Sequence, residues 1–560
     1  MRAYAADFET TTKSEDCRVW AWGICPVDAV NDFSYGIDIQ SFVRWVHDNK
    51  CDVVWFHNLG FDGKFIIDYL LRSGYVHVSD KPLSGEFSTL ISRMGKFYSI
   101  TVNLSGLTVK FYDSLKIYPM SIKNLAKTFN MDEGKGEIDY NAYRAPGHIL
   151  TDEEYDYLRR DVQIAARAIA LNYSENHTKI TAGSNAFADF RKMVGKKRFN
   201  KWFPVYSDEV DGYIRNAYRG GFTFCNPKYE GVDVYGGISV DYNSMYPSQM
   251  ISHPYPVGDA VSFNGKYTPN DEYPLFVQKL TCSFELKPEG VPFVQLKNSL
   301  YGVHEHVAST VDPVTLTLSS VDLQMLFENY DVDVIAYDGG YMFRAIDGMF
   351  SEYVEKWGAV KKASKGGKRS LAKLFLNSLY GKFGTNPDVT PKVPIMGDDD
   401  VVHYVLSDVE ETREPVYIPV AVFVTAYARQ ALIEGIRANY DRFIYCDTDS
   451  MHLTGTDAPR GIRTHDTELC AWKVEGTFSH ARHLRAKCYI WDLNGVVGVT
   501  CAGMPDNIKS YCTFDNFHLG FSNTRVVDGK REIVPGMEKL LPKNVPGGVV
   551  LTPSIYELRA

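Results

Sequence analysis

The sequence has no apolar run near the roughly 20 residues that a helix needs to cross a bilayer, so no membrane partner is expected. Its start, Met1-Arg2-Ala3-Tyr4-Ala5-Ala6-Asp7, puts acid where a signal peptide needs an apolar stretch. A cytoplasmic protein is the expectation, in the host cell if the source is viral. None of the ten cysteines forms a Cys-x-x-Cys pair, which argues against zinc ribbons and dithiol redox motifs. Reduced, mostly buried thiols are expected instead. Internal repeats and low-complexity tracts are missing too. An excess of positive charge is also lacking, the net charge being −9. That weighs against a nucleic-acid protein, because phosphate binding favours basic surface. It excludes no local basic groove, since metal-site carboxylates lower the sum. At 560 residues the chain is too long for one core and should divide into roughly three to five domains.

Against this background one segment carries chemistry. Phe443-Ile444-Tyr445-Cys446-Asp447-Thr448-Asp449-Ser450 is an apolar strand that ends in two aspartates, and a second strand pattern leaves it through Met451-His452-Leu453-Thr454. The pattern predicts a β-hairpin with acid at its tip. Two carboxylates so close repel unless a cation sits between them, and Mg²⁺ favours carboxylates together with substrate phosphates. Asp331-Val332-Asp333 has the same spacing and reads as a solvated strand or turn, so the pair gains meaning only with a matching carboxylate elsewhere.

Residues 1–175 alternate strand and helix patterns. Strands are predicted over 3–9, 53–57, 97–102 and 109–112, and helices over 62–72, 121–129 and onward from 152, the last opened by the capping box Thr151-x-x-Glu154. That is an α/β domain on a mixed sheet. Residues 253–348 are rich in Pro, Gly and Tyr with short strand-like runs. Helices are predicted over 351–363 and 369–380, joined by the basic turn Lys365-Gly366-Gly367-Lys368. Residues 386–417 read as loop and hairpin, and the tail from 502 as strand-like.

Asp7-Phe8-Glu9 puts two carboxylates on one strand face, because strand side chains alternate. Asn58-Leu59-Gly60-Phe61-Asp62 brings an amide, an aromatic ring and a third acid to a strand end. Tyr157 and Asp161 stand at i and i+4 on the capped helix, hence on one face. Four acids from three elements could hold two metal ions for an in-line displacement at phosphorus, with Tyr157 orienting a water.

In the second half, Ile238 to Pro247 is a strand ending in Asp241, then a turn into a helix with Pro247 in its first turn. Asp241 is the distant carboxylate that the Asp447/Asp449 tip needs, with Ser244 and Tyr246 just past it. Arg369, Lys373, Asn377 and Tyr380 form a polar stripe at helical spacing, and Gly381 follows. Such a stripe can offer cations to a triphosphate and a ring to a base. Lys487-Cys488-Tyr489 alternates a cation and an aromatic on one strand face, which suits a nucleic-acid strand. In Tyr218-Arg219-Gly220-Gly221 the glycines permit close backbone approach to a ligand.

The N-terminal set resembles the three motifs of DnaQ-like (RNase H-like) 3′→5′ proofreading exonucleases. The resemblance implies Asp7, Glu9, Asp62 and Asp161 as metal ligands, Tyr157 as the water-orienting tyrosine, and Thr10, His57, Asn58 and Phe61 as contacts to a single-stranded 3′ end. The second set resembles the family B DNA polymerases: motif A from Asp241, motif B from Lys373 to Gly381, motif C from Tyr445 to Ser450, and Lys487-x-Tyr489. Tyr218-x-Gly220-Gly221 matches the linker between the two activities, and Thr425-x-x-Ala428-Arg429 a template-contact motif. Ala182-Gly183-Ser184, Leu376 to Phe383 and Val545 to Leu551 are similar to the protein-primed, phi29-like bacteriophage branch. Motif A has Met245 where Leu is expected, a tolerated volume swap. The stretches between motif C and Lys487, and between Phe521 and Val545, differ from the phage pattern in length and composition.

The resemblance implies an α/β and α+β multidomain chain: an exonuclease domain over 1–181, then a right-hand polymerase. Palm would span 182–252 and 418–501, fingers 349–384 and thumb 502–560. Insertions of the terminal-protein-region type would fill 253–348 and 385–417. It implies Mg²⁺ (or Mn²⁺), two per site, held in the polymerase by Asp241, Asp449 and the Tyr242 carbonyl, with Asp447 assisting. Nucleotide contacts would come from Tyr242, Ser244, Met245, Tyr246, Lys361, Arg369, Lys373, Asn377 and Tyr380. DNA contacts would come from Tyr218, Gly220, Gly221, Gly381, Thr425, Arg429, Thr448, Lys487 and Tyr489. The implied partners are template and primer DNA, dNTPs and a terminal priming protein, acting on a monomer. Two other readings stay open: a nuclease whose second half is only a DNA clamp, and a non-enzymatic single-strand binder that uses its 13% aromatic content for stacking. A dNTP incorporation assay separates the first, and metal-independent binding without turnover would mark the second.

Overall fold

The structure, a computed structural model, describes residues 2–131, 138–140, 142–296 and 306–559. The first third is built on an eight-stranded sheet in the order Ser34–Gly36, Val19–Pro26, Ala3–Thr10, Val53–Phe56, Leu107–Asp113, Phe97–Leu104, Glu86–Ile91, Val76–His77. Ala3–Thr10 pairs antiparallel with Val19–Pro26 and parallel with Val53–Phe56, so the sheet is mixed, as the alternating pattern predicts. Helix Asp152–Ser174 opens with the Thr151/Glu154 capping box and packs on Ala3–Thr10 and Val19–Pro26. The helix expected over 62–72 begins earlier, as Leu59–Arg72, with Asn58 at φ 83° before it. Asn tolerates that left-handed backbone better than most residues, and the tight turn places Asp62 in the first helical turn.

The second half centres on a seven-stranded sheet, Val496–Cys501, Cys488–Leu493, Trp472–Arg485, Asp233–Tyr242, Ser450–Thr454, Phe443–Asp447, Thr223–Cys225. Its neighbours are all antiparallel. Helix Ile418–Ala438 is apolar on nearly every side and packs against this sheet, which is what an all-round hydrophobic helix requires. Two helices, Ser351–Ala363 and Gly366–Phe383, rise as a pair. The basic turn predicted over 365–368 is mostly the first turn of the second helix. Gly381 lies inside that helix rather than ending it.

Residues 253–348 fold as a four-stranded sheet, Tyr255–Phe263, Tyr330–Ile346, Leu275–Leu286, Val314–Ser319; residues 297–305 of this segment lie outside the described residues. Asp331 and Asp333 are exposed on its long strand, as the solvated reading expects. The 386–417 stretch gives the hairpin Lys392–Met396/Val402–Leu406 and a small outer pair, Asp388–Val389/Glu411–Thr412. The tail gives two hairpins, Thr524–Val527/Lys530–Ile533 and Lys539–Val545/Gly548–Ser554. All ten cysteines are unpaired and all but Cys470 are buried. Among the described residues no helix is long and apolar enough to cross a membrane.

Candidate active sites

In the central sheet Asp241 faces Ser450 on one neighbouring strand and Lys473 on the other. The Tyr242 amide donates to the Asp449 carbonyl at 2.6 Å, so the strand carrying Asp241 and the hairpin tip end side by side. Thr448 adopts φ 58° and its amide donates to the Phe222 carbonyl at 2.7 Å. This left-handed residue turns the chain between Asp447 and Asp449.

The three carboxylates are not equivalent. Asp447 accepts from Lys487 Nζ at 3.0 Å to each oxygen, from Thr223 Oγ1 at 2.8 Å and from Thr448 Oγ1 at 3.0 Å. Asp241 is pushed up to about 7 by burial and then by the Asp449 charge, against the pull of Lys473 and Lys373. Asp449 is raised by burial and by Asp447. Half-buried acids held above their usual range by neighbouring carboxylates are the arrangement a divalent cation relieves. Carboxylate oxygens beside room for phosphates suit Mg²⁺ or Mn²⁺, so Asp241 and Asp449 fit as ligands and Asp447 as a support held by Lys487. Tyr242 turns its ring to Trp472, centroids 5.2 Å apart.

Both carboxylates open on a cleft of about 1440 Å³. Ser244, Met245 and Tyr246 line it near the acids; Lys361, Arg369, Lys373, Asn377 and Tyr380 line it from the helix pair. Lys361 Nζ donates to Ser244 Oγ at 3.2 Å, and Arg369 donates to the Lys361 carbonyl at 2.8 Å. Tyr246 and Tyr380 stack with centroids 4.0 Å apart. Sequence reasoning missed Lys473 and Glu475, which also line the cleft; only the strand register with Asp241 reveals them.

The linker glycines have a steric reason. A Cβ on Gly221 would sit 2.8 Å from Thr448 Oγ1 and 3.1 Å from the Tyr246 hydroxyl, so the linker touches the hairpin tip and the nucleotide side at once. Gly220 and Gly381 have open space around them. Tyr218 has its hydroxyl against Gly384, at the end of the second helix.

Three residues expected to contact DNA make their polar contacts within the protein. Arg429 is 3% exposed and pairs with both oxygens of Asp322 at 2.7 and 2.8 Å while donating to the Arg219 and Gly220 carbonyls. It anchors the linker from within. Thr425, 1% exposed, donates to the carbonyl of Ala421 one turn back. His57 spends both ring nitrogens on the protein, on Ser114 Oγ at 2.9 Å and the Met120 carbonyl at 2.7 Å. Lys487 is also displaced from its expected strand: it occupies the turn at φ 56° before Cys488–Leu493, exposed and reaching Asp447. Tyr489 packs beside Tyr445 and His452, each 5.2 Å away.

The N-terminal acids also converge. Asp7 is held well above the usual carboxylate range by burial and then by Asp62, Glu9 and Asp161. Glu9 is pushed up to about 8 by burial, Asp161 and Asp62, with Arg144 opposing. Asp62 also reaches about 8, chiefly through burial. Four carboxylates from three elements thus lie close enough to raise one another, a charge that divalent cations would offset, although among the described residues no three of them close on a single metal position. Tyr157 bonds the Tyr140 hydroxyl at 2.6 Å. Asn58 is exposed, Phe61 half-buried against Phe65 at 5.7 Å, and Thr10 lines a small hollow with Tyr140 and Arg144. Tyr140 and Arg144 were missed because nothing in their flanks signals a site; Arg144 ion-pairs with Glu154 of the capping box at 2.9 Å.

A profile for DNA polymerase type B, organellar and viral, matches residues 46–149 and 144–468. The chain is 41% identical to the DNA polymerase of Bacillus phage Nf over all of both chains. It is 40% identical to that of Bacillus phage phi29, covering 100% of this chain and 99% of that one. The DNA polymerase of Streptococcus phage Cp-1 is 31% identical over 99% and 98%. Phi29 DNA polymerase solved with primer-template DNA superposes with a TM-score of 0.93 over the full length of both chains at 39% identity, and its complex with primer-template DNA and incoming nucleotides gives 0.93 at 40%. The chain belongs to the type B DNA polymerases, organellar and viral. Within them it is of the phi29 type, a DNA-directed DNA polymerase with an exonuclease domain followed by palm, fingers and thumb.

Proposed function

We propose that the chain replicates a phage-type genome by protein-primed, strand-displacing synthesis and proofreads with its N-terminal half. The observation that carries the reading is the pair of separate acid clusters, one facing a cleft lined by five cations and two stacked tyrosines. In the polymerase cleft Lys373, with Lys361 and Arg369, binds the triphosphate. Tyr380 supports the base, and Tyr246 closes the space beside the sugar against a 2′-OH. Lys487 and Tyr489 hold the primer terminus. Asp241 and Asp449, with the Tyr242 carbonyl, would hold two Mg²⁺ or Mn²⁺. Asp7, Glu9, Asp62 and Asp161 would hold another pair, with Tyr157 placing a water and Asn58, Phe61 and Thr10 a single-stranded 3′ end. When bound, such cations lower the pKa of the attacking hydroxyl or water and offset charge on the leaving oxygen.

The segment boundaries given above, 1–181, 182–252, 253–348, 349–384, 385–417, 418–501 and 502–560, are proposed for the domains and insertions. A monomer working in the host cytoplasm with a terminal priming protein completes the reading. The solved phi29 complexes with primer-template DNA and incoming nucleotides support DNA and dNTPs as its substrates. Mixing the protein with a primed template, dNTPs and Mg²⁺ should extend the primer. Replacing the primer by a candidate terminal protein should attach the first nucleotide to that protein, and no attachment to any candidate would refute protein priming.

A further inference from the structure

Three segments far apart in sequence meet along helix Leu59–Arg72. They are the strand Phe97–Leu104, the hairpin Lys392–Met396/Val402–Leu406 and the hairpin Lys539–Val545/Gly548–Ser554. Asn544 Nδ2 donates to the Val402 carbonyl at 3.1 Å, the Gly547 amide donates to Asp68 at 3.1 Å, and Arg72 donates to Asp400 at 2.7 Å. Between them lies a pocket of about 260 Å³ lined by Lys64, Phe97, Lys392, His403, Tyr404 and Asn544.

Its charges are unbalanced. Lys64 Nζ donates to the neutral Asn544 Oδ1 at 2.8 Å and lies 5.7 Å from the centre of the Tyr404 ring. The nearby acids are already committed: Asp68 to Arg72 and the Gly547 amide, Asp400 to Arg72, Asp399 to His403. Among the described residues neither Lys64 nor Lys392 makes an ion pair with a carboxylate. The Tyr404 hydroxyl is shut off from solvent without a hydrogen-bond partner. Burial lowers the Lys64 ammonium to about 8, with no acid beside it to oppose that. A desolvated cation next to an unused hydroxyl is a site short of an anion.

Position narrows the anion. Gly60, one turn before Lys64, would place a Cβ 3.5 Å from Asn58 Oδ1 and 3.8 Å from Phe97, so the wall of the pocket adjoins the Asn58–Asp62 edge of the N-terminal acid cluster. Aromatic rings flank the cations, the combination that tracks single-stranded nucleic acid. We propose that the pocket is a phosphodiester subsite for a single DNA strand, with Lys64 and Lys392 facing one backbone phosphate. The proposal rests on the reading of the N-terminal half as a site for single-stranded 3′ ends.

The test is binding of a labelled oligothymidylate, followed by anisotropy in EDTA across a salt series. Taking one cation away from the phosphates of a bound single strand should flatten the slope of log Kobs against log[salt] by about 0.7. Lys64→Gln removes the charge and keeps a polar amide facing Asn544; Lys392→Gln, on the hairpin, covers the case in which the first variant unfolds. Each should flatten the slope by that amount, and Lys64→Arg should retain the wild-type slope. An unchanged slope in both glutamine variants would overturn the subsite, whatever happens to affinity. So would displacement of the effect onto free inorganic phosphate, seen as phosphate binding that the variants lose while the DNA slope stays fixed. Wild-type protein that fails to bind the strand at all would instead refute the proposed function, and the subsite with it.

Discussion

Tyr246, the motif A tyrosine in the first turn of helix Met245–Ser252, stacks on Tyr380 of helix Gly366–Phe383, with ring centroids 4.0 Å apart and planes 26° from parallel. The two halves of the proposed nucleotide pocket therefore touch through a pair of rings, and each ring fixes the other. A stacked pair contributes about 1 kcal/mol beyond area burial. Tyr380→Ala should raise the KM for dNTPs about fivefold with a smaller effect on kcat. Tyr246→Val should raise the ratio of ribonucleotide to deoxynucleotide incorporation. Steady-state primer extension with each nucleotide class measures both.

Gly221→Ala is predicted to damage synthesis selectively. The added Cβ would lie 2.8 Å from Thr448 Oγ1 and 2.9 Å from Thr448 Cγ2, and Thr448 is the hinge of the Asp447–Asp449 turn. Polymerisation should fall by at least about tenfold, the effect of displacing a catalytic group by a fraction of an ångström. Degradation of a single-stranded oligonucleotide by the same preparation should stay at the wild-type rate.

Arg429 is predicted to act on stability. Removing one partner of a buried ion pair leaves the other charge uncompensated and costs about 3–5 kcal/mol. Arg429→Ala should show that loss in denaturant unfolding. Arg429→Leu combined with Asp322→Leu should recover part of it, which a direct template contact would not predict.

The acid clusters predict how stability depends on pH. Asp241 near 7, and Glu9 and Asp62 near 8, are raised in the folded state. The folded protein therefore holds more protons than the unfolded chain between the ordinary carboxylate range and those values. These groups favour folding most at low pH, and their contribution is lost as pH rises through about 7 and 8. Without divalent cations, wild-type protein should lose melting temperature between about pH 6 and about pH 8.5 relative to Asp62→Asn. Added Mg²⁺ at the higher pH should restore wild type more than the variant. Scanning calorimetry reads both.

Much of this was legible in the chain. Asp241, Asp447 and Asp449 announce themselves because apolar strands rarely end in acid without a reason. The Thr151–Glu154 box marks the start of its helix because capping is local chemistry. What depends on distant partners was not legible. Arg429 reads as a free cation at the end of a motif; its carboxylate is Asp322, 107 residues away, on a segment with no signal of its own. His57 sits beside Asn58 in sequence, yet its ring nitrogens are taken up by Ser114 and Met120. Lys487 looks like a strand residue until the positive φ of the turn is seen. Asp447 cannot be told from Asp449 by spacing; only its donors Lys487, Thr223 and Thr448 show that it is a support.

The most direct measurement compares Asp449→Ala and Asp7→Ala in two assays run side by side with Mg²⁺: dNTP incorporation on a primed template and degradation of a single strand. Two independent carboxylate centres predict that Asp449→Ala abolishes incorporation and still degrades, while Asp7→Ala still incorporates and no longer degrades. Loss of both activities in either well-folded variant would contradict the account.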